Sequence, residues 1–320
     1  MQVRRKTVNG RFYYYLEKSI RLEKPMVYSI SLGIKIPQKK ELMRLERELI
    51  EKIYADLLHE ARTIYLQKER LIGIEKKRRQ YEARLKHLTR GQREEKEEVD
   101  IVDFVYTTLS TEGVPITKED ADLAYRFAQK GVRDIRDENL RVSLDMIRGL
   151  RQVRESEEGL DMDFILDLHA VIMAGFPGKN PGKLRSKPAY IYLKSYDKVE
   201  EIGFRPPAPE KMKEQLGELV SWYNASLGKL NPIELAALLH LKFYSTHPFE
   251  DGNKRISRLL LNKALHDCGY PILNISKQTG PYFDALVKSV EKKDERPFVE
   301  FVAQEFEKMC SKRGSWTPLI

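Results

Sequence analysis

Hydrophobic positions change their period along the chain. In residues 1–36, VRRKTV and RFYYYL flank Asn9-Gly10, and MVYSISLG follows Pro25. An Asn-Gly pair accepts the positive φ angles of a two-residue turn, so the segment is predicted as a small β-hairpin unit with a third strand. From Pro37 onward, Leu42, Leu45, Leu49, Ile53, Leu57, Ala61 and Ile64 recur at spacings of three and four, which places them on one helix face. No proline interrupts the run to residue 100. Residues 37–99 are therefore predicted as one very long charged helix or a helical hairpin, with Gly73 as the joint.

After Asp100 the chain is helical and better mixed. IVDFVYTTLSTEG, residues 101–113, is predicted as a helix closed by Gly113. Thr117 opens the next helix with Asp120 in a capping-box position. LRVSLDMIRGLRQVRE, DMDFILDLHAVIMAG and KMKEQLGELVSWYN are further amphipathic helices. Between residues 175 and 209 glycine and proline break the pattern around a short strand candidate, Ala189–Leu193. Asn231-Pro232 starts another helix, which must end at Thr246 or His247 because Pro248 disfavours helical geometry before it. The fold class is mainly α, with residues 100–320 as its main domain.

Composition narrows the function only a little. The chain has 320 residues and a net charge of +9, a mild basic excess that permits polyanion binding without requiring it. Arg4, Arg5, Lys6, Tyr13, Tyr14 and Tyr15 could contact nucleic acid, but a sheet with aromatic cross-strand pairs explains them more simply. Cys268 and Cys310 lie far apart, without metal-type spacing, which argues against a disulfide framework or a zinc site. No signal peptide and no membrane span is visible, so a cytoplasmic protein is expected.

The stretch HPFEDGNKRISR, residues 247–258, is where the chemistry gathers. It joins the end of one helix to the start of the next. A helix N-terminus offers unpaired N–H groups and positive partial charge to an anion, and Gly252 lets a ligand approach the backbone. Arg255 and Arg258 add fork-shaped donors suited to phosphate oxygens. A carboxylate here makes sense if Asp251 holds magnesium against those phosphates. His247 is placed to take a proton from an incoming hydroxyl. Nucleotidyl or phosphoryl transfer is the expected reaction.

The same string resembles the signature of the Fic family, H-P-F-x-[D/E]-G-N-[G/K]-R-x-x-R, and meets every fixed position. GKLRS, PPAP followed by ELVSWYN, and YFDALVKSV also resemble landmarks of that family. The resemblance covers roughly residues 100–305. It implies a helical domain that transfers AMP from ATP to a hydroxyl of a target protein. His247 would be the general base, and Asp251 would hold Mg2+. Asn253 would contact the α-phosphate, and the backbone of Gly252 to Lys254 would form the anion hole. Arg255 and Arg258 would meet the β- and γ-phosphates. Phe249 would anchor the loop, Glu250 would be solvated, and Tyr282 would line the adenosine pocket. Residues Ala189, Tyr190, Ile191, Tyr192 and Leu193 would form the flap that docks the target. Lys254 stands where many AMP-transferring members have glycine, and a related branch with lysine transfers phosphate. That branch usually replaces the glycine kept here as Gly252, so AMP transfer is favoured and phosphotransfer stays open.

TLSTEG, residues 108–113, fits a second Fic pattern, the inhibitory [S/T]-x-x-x-E-[G/N] helix. Thr108 and Glu112 share a helix face. A carboxylate in a last helical turn is disfavoured by the helix dipole and welcomes a cation. The resemblance implies that Glu112, followed by Gly113, pairs with Arg258 and blocks productive ATP binding. His169, His240 and His266 are read as buried, hydrogen-bonded histidines rather than metal ligands. The partners expected are ATP and a target protein, with a homodimer plausible and a nucleic-acid adaptor as the non-enzymatic alternative.

Overall fold

The computed structural model describes residues 1–21, 25–58, 62–132, 135–194, 201–275 and 279–311. The chain divides into two compact units, Met1–Glu60 with Gln67–Lys76, and Ala61–Leu66 with Lys77–Ile320.

In the first unit, β1 (Gln2–Val8), β2 (Arg11–Arg21) and β3 (Pro25–Gly33) form an antiparallel sheet in sequence order. Asn9 and Gly10 turn the hairpin with φ angles of 49° and 75°, the two left-handed positions that Asn-Gly promised. Leu16, Tyr28 and Leu32 pack with Leu49 and Ile53 of α1 (Lys39–Leu57). The aromatic cross-strand pairs expected here are instead cation–aromatic. Tyr13, Tyr14 and Tyr15 face Lys6, Arg5 and Arg4 across the ladder. Lys6 sits 5.2 Å from the Tyr15 ring, and Glu17 draws both Arg4 and Lys6.

The charged stretch is three helices rather than one or a hairpin: α1, α2 (Lys68–Lys86) and α3 (Arg90–Thr111). Gly73 lies inside α2 and is no joint. One break comes from Thr89, which forms a capping box with Gln92 and starts α3 there. The other comes from Glu234, a fully buried carboxylate that accepts the backbone N–H groups of Ile64, Tyr65 and Leu66 at 2.7, 3.0 and 2.6 Å. A buried charge needs such donors, and supplying them takes residues 64–66 out of the helical period. Ile64 is consequently exposed rather than on a buried helix face.

The second unit continues with α4 (Lys118–Gln129), α5 (Glu138–Glu155), α6 (Met162–Ile172), β4 (Ile191–Lys194), β5 (Glu201–Phe204), α7 (Met212–Ser226), α8 (Pro232–Thr246), α9 (Asn253–Asp267), α10 (Thr279–Lys292) and α11 (Arg296–Ser311). Thr117 with Asp120 caps α4, and Asn231 caps α8, both as their sequences predict. Helices α8 and α9 are buried on nearly every face, which marks them as the centre of the core. Even Lys263 is fully buried in α9; it donates to Asp267 and to the Glu157 carbonyl. His266, expected to be buried, lies at the exposed end of α9. Both cysteines are free. Among the described residues no helix is long and apolar enough to cross a membrane.

Candidate active site

Two core helices meet at one corner. Helix α8 ends at Thr246, and His247 caps it in the left-handed region (φ 49°, ψ 57°), its N–H bonded to the Phe243 carbonyl at 3.0 Å. That conformation costs a non-glycine residue roughly 1–2 kcal/mol, so surrounding contacts must hold it. Phe249 then dives into the core and stacks flat on His169, with ring centroids 3.6 Å apart. Asn253 fastens the turn from the other side. Its Oδ1 accepts from the Phe249 N–H at 3.0 Å, and its Nδ2 donates to the Phe249 carbonyl at 2.8 Å. Both ends of this side-chain amide are thus already bonded. Asn253 staples the loop, and its side chain is not the free α-phosphate contact that was expected.

His169 completes the frame. Its Nδ1 accepts from the Gly182 N–H at 2.9 Å, so Nε2 carries the proton and donates to the Asp251 carbonyl at 3.1 Å. Burial pushes its pKa down to about 4, in keeping with a neutral ring. Gly252 follows at φ 75°, and a Cβ there would lie 2.9 Å from the Met173 sulfur. Only glycine suits both the angle and the space.

With glycine at its N-cap, α9 has no side-chain cap. The N–H groups of Asn253, Lys254 and Arg255 open the helix with no acceptor among the described residues. Arg255 and Arg258 are both buried, and Nη1 of the first and Nη2 of the second have no hydrogen-bond partner. Buried guanidinium donors without acceptors are costly, and phosphate oxygens would satisfy them. Lys254 adds a third cation, 5.4 Å from the Phe283 ring.

His247 stands beside this cationic corner. Burial, reinforced by the charges of Arg185 and Lys254, brings its pKa down to about 4, so the imidazole is neutral at ordinary pH and can accept a proton. Its Nδ1 is buried and unbonded. Asp251 contacts the Gly252 N–H at 2.6 Å and Arg255 at 3.4 Å, both through Oδ1. No group of three His, Cys, Asp or Glu residues suited to a metal occurs among the described residues. A lone carboxylate fits magnesium, whose remaining ligands are usually phosphate and water. Glu250 is exposed and accepts from Asn180 at 3.1 Å.

Glu112 meets the site through a different arginine from the one expected. Its Oε2 lies 2.8 Å from Arg255 Nε, and among the described residues no ion pair joins it to Arg258. The geometry is that of an ion pair rather than an aligned hydrogen bond. Arg258 is engaged elsewhere: its guanidinium sits 4.5 Å above the ring of Tyr282. Gly113 (φ 81°) and Val114 close α3 with bonds back to Ser110 and Leu109, a Schellman motif that fixes Glu112 at the last turn. Burial raises the Glu112 pKa, while Arg255, Lys254 and Arg258 oppose the rise. Thr108 is buried, and its hydroxyl has no partner. Tyr282 has no exposed surface. It does not line an open adenosine pocket but lies beneath Arg258, with its hydroxyl 3.2 Å from His240 Nε2.

The flap strand is Ile191–Lys194, paired antiparallel with Glu201–Phe204, so Ala189 and Tyr190 precede it. Tyr190 and Tyr192 are exposed and pack edge to face at 4.7 Å, while Leu193 is buried. A cavity of about 650 Å³ is a separate feature. It is lined by Arg205, Pro207, Trp222, Lys242 and Thr246 among others, and contains none of His247, Arg255 and Arg258.

Fold and loop together define a helical domain with a histidine-headed anion-binding corner. The family model for the Fic/DOC family matches residues 159–265, which include the whole loop. Residues 159–265 thus match a domain of that family. It is 32% identical over 210 residues to "Protein adenylyltransferase fic-1" of Caenorhabditis briggsae, covering 64% of this chain and 39% of that one. To "Protein adenylyltransferase Fic" of Drosophila erecta it is 34% identical over 145 residues, 45% of this chain and 27% of that one. The chain therefore spans well under half of these relatives. Among solved structures, a Fic-domain signaling protein from Bacteroides thetaiotaomicron superposes with a TM-score of 0.65 at 25% identity, over 74% of this chain and 94% of that one.

Two residues that build this corner carry no site role in the sequence reading, although His169 is the buried, hydrogen-bonded histidine expected. His169 sits in an apolar helix, LDLHAVI, with no local sign that it would stack under Phe249. Arg185, in GKLRS, stood only as a landmark, yet its Nε donates to the His247 carbonyl at 2.8 Å.

Proposed function

We propose that the chain transfers AMP from ATP to a Ser, Thr or Tyr hydroxyl of a target protein, and that Glu112 restrains it. What carries the reading is the set of unsatisfied donors in one place. The buried Nη atoms of Arg255 and Arg258 and three open N–H groups of α9 lie next to a neutral imidazole.

In this reading His247 removes the proton from the target hydroxyl. The oxygen attacks the α-phosphorus, and the bond to the bridging oxygen breaks so that pyrophosphate leaves with the electron pair. The N–H groups opening α9 receive charge on the α-phosphate, and the arginines receive charge on the β- and γ-phosphates. Mg2+ held by Asp251 would supply further charge neutralisation. The flap tyrosines face the target. Glu112 competes with phosphate for Arg255, so the brake acts on that ligand rather than on Arg258. A cytoplasmic setting belongs to the same proposal. A nucleic-acid partner does not, because Glu17 already draws Arg4 and Lys6 on the N-terminal sheet.

Incubation with α- or γ-labelled ATP tests the reading in wild type, Glu112→Gly and His247→Ala. Label from the α-position is expected on protein, raised by Glu112→Gly and absent in His247→Ala. Label from the γ-position alone would replace AMP transfer by the phosphotransfer that Lys254 left open. Release of AMP from a modified target would add removal to the activity.

A further inference from the structure

Arg185 is buried, yet no carboxylate lies within ion-pair distance of it among the described residues. Burial holds its guanidinium below the usual arginine range, partly offset by Glu210. Every bond it makes goes to a backbone carbonyl. Nε donates to His247 at 2.8 Å, Nη1 donates to Lys187 at 2.9 Å, and Nη2 donates to Pro207. Its own backbone N–H donates to Pro248 at 2.9 Å. A buried cation kept among neutral acceptors is expensive, and such arrangements persist where geometry matters.

The identity of the three carbonyls gives the arrangement its meaning. His247 is the left-handed residue that ends α8. Lys187 stands four residues before β4, and Pro207 three residues after β5. One planar fork thus joins the residue carrying the imidazole to both roots of the flap hairpin. Lysine cannot reproduce this, because its single nitrogen has no fixed fork.

We propose that Arg185 is a positioning residue that sets the His247 imidazole and ties it to both ends of the β4–β5 flap. The inference rests on the proposed function only for its kinetic consequence. The charged groups facing His247 are Arg185, Lys254 and Asp251, and the Tyr244 ring lies 5.8 Å away. Arg185 is a cation held close to the imidazole, so it also helps keep that ring unprotonated.

The test uses the full chain with Arg185→Lys and Arg185→Gln, each with and without Glu112→Gly. Histidine NMR titration reads His247 independently of any activity. In both variants the His247 resonances are expected to move. In Arg185→Gln its pKa should also rise toward the ordinary histidine value, because a charge has gone. In transfer assays Arg185→Lys should lower kcat roughly 10- to 100-fold and raise KM for the target, with KM for ATP unchanged. A folded Arg185→Lys chain with unshifted His247 resonances and unchanged kcat would overturn the proposal. Failure of Arg185→Lys to fold would overturn it too, since the residue would then serve the fold. If wild type and Glu112→Gly transfer nothing, the proposed function fails while the titration still decides the role of Arg185.

Discussion

The loop between α8 and α9 and the segments flanking the β4–β5 hairpin both bond to Arg185, yet loop and hairpin are built on opposite plans. In the loop, Asn253, His169 and Arg185 tie down the backbone of Phe249, Asp251 and His247, and glycine is forced at position 252 by both angle and space. In the hairpin, Tyr192 is 70% exposed and Tyr190 46% exposed, and the sheet is only two strands wide. Under the proposed function, the difference matches the task each part would perform. Attack at phosphorus tolerates little misplacement, so its scaffold is over-determined. A docking strand must accept another chain's backbone and side chains, so its edge and aromatic surface stay open.

Substitutions can sharpen or break this contrast. The largest expected effect belongs to His247→Ala in the Glu112→Gly background. Transfer should fall by about 10²–10⁴, with ATP affinity kept within a few-fold by calorimetry. Equal loss of binding and transfer would show that His247 serves the loop rather than the proton. Glu112→Gly alone comes next. Releasing Arg255 should raise auto-modification about 10-fold or more, and unchanged labelling with intact nucleotide binding would remove the brake.

Smaller effects concern the frame. Asn253→Ala strips two bonds from a buried turn and should cost about 1–3 kcal/mol, visible as a lower urea midpoint. A midpoint equal to wild type would mean the staple is dispensable. Three buried histidines also make a pH prediction. The pKa values of His169 and His247 fall to about 4, and that of His240 falls well below its ordinary value, in each case chiefly through burial. Below about pH 6.5 the unfolded chain takes up protons that the folded chain refuses. Their contribution is therefore complete above that value and is lost as pH falls toward 4, by roughly 1.4 kcal/mol per group per pKa unit. A flat stability profile from pH 7 to 4 would contradict it. Least of all, Tyr192→Ala should change stability by under about 0.5 kcal/mol while raising KM for the target. Unchanged KM would separate the flap from docking.

How much could be read from the sequence followed the range of the contacts. The path of the loop was legible because its determinants are contiguous: Pro248 stops α8, Gly252 turns, and the next helix starts at once; the stapling role of Asn253 was not. The hairpin turn and the caps at Thr117 and Asn231 are equally local. The partner of Glu112 was not legible. Arg255 takes Glu112 while Arg258 lies over Tyr282, a residue later in sequence whose place appears only in the fold. The fate of residues 64–66 depends on Glu234, 170 positions from Ile64. The roles of His169 and Arg185 likewise appear only once distant segments are folded together.

One measurement bears most directly on the site as a whole: calorimetric titration of the Glu112→Gly chain with ATP and Mg2+, compared with the same chain carrying Arg255→Ala and Arg258→Ala. Saturable one-to-one binding, weakened at least about 10-fold by the two substitutions, is the expected result. Affinity unchanged by the loss of both guanidinium groups, or no binding in the parent, would contradict a polyphosphate grip at the start of α9.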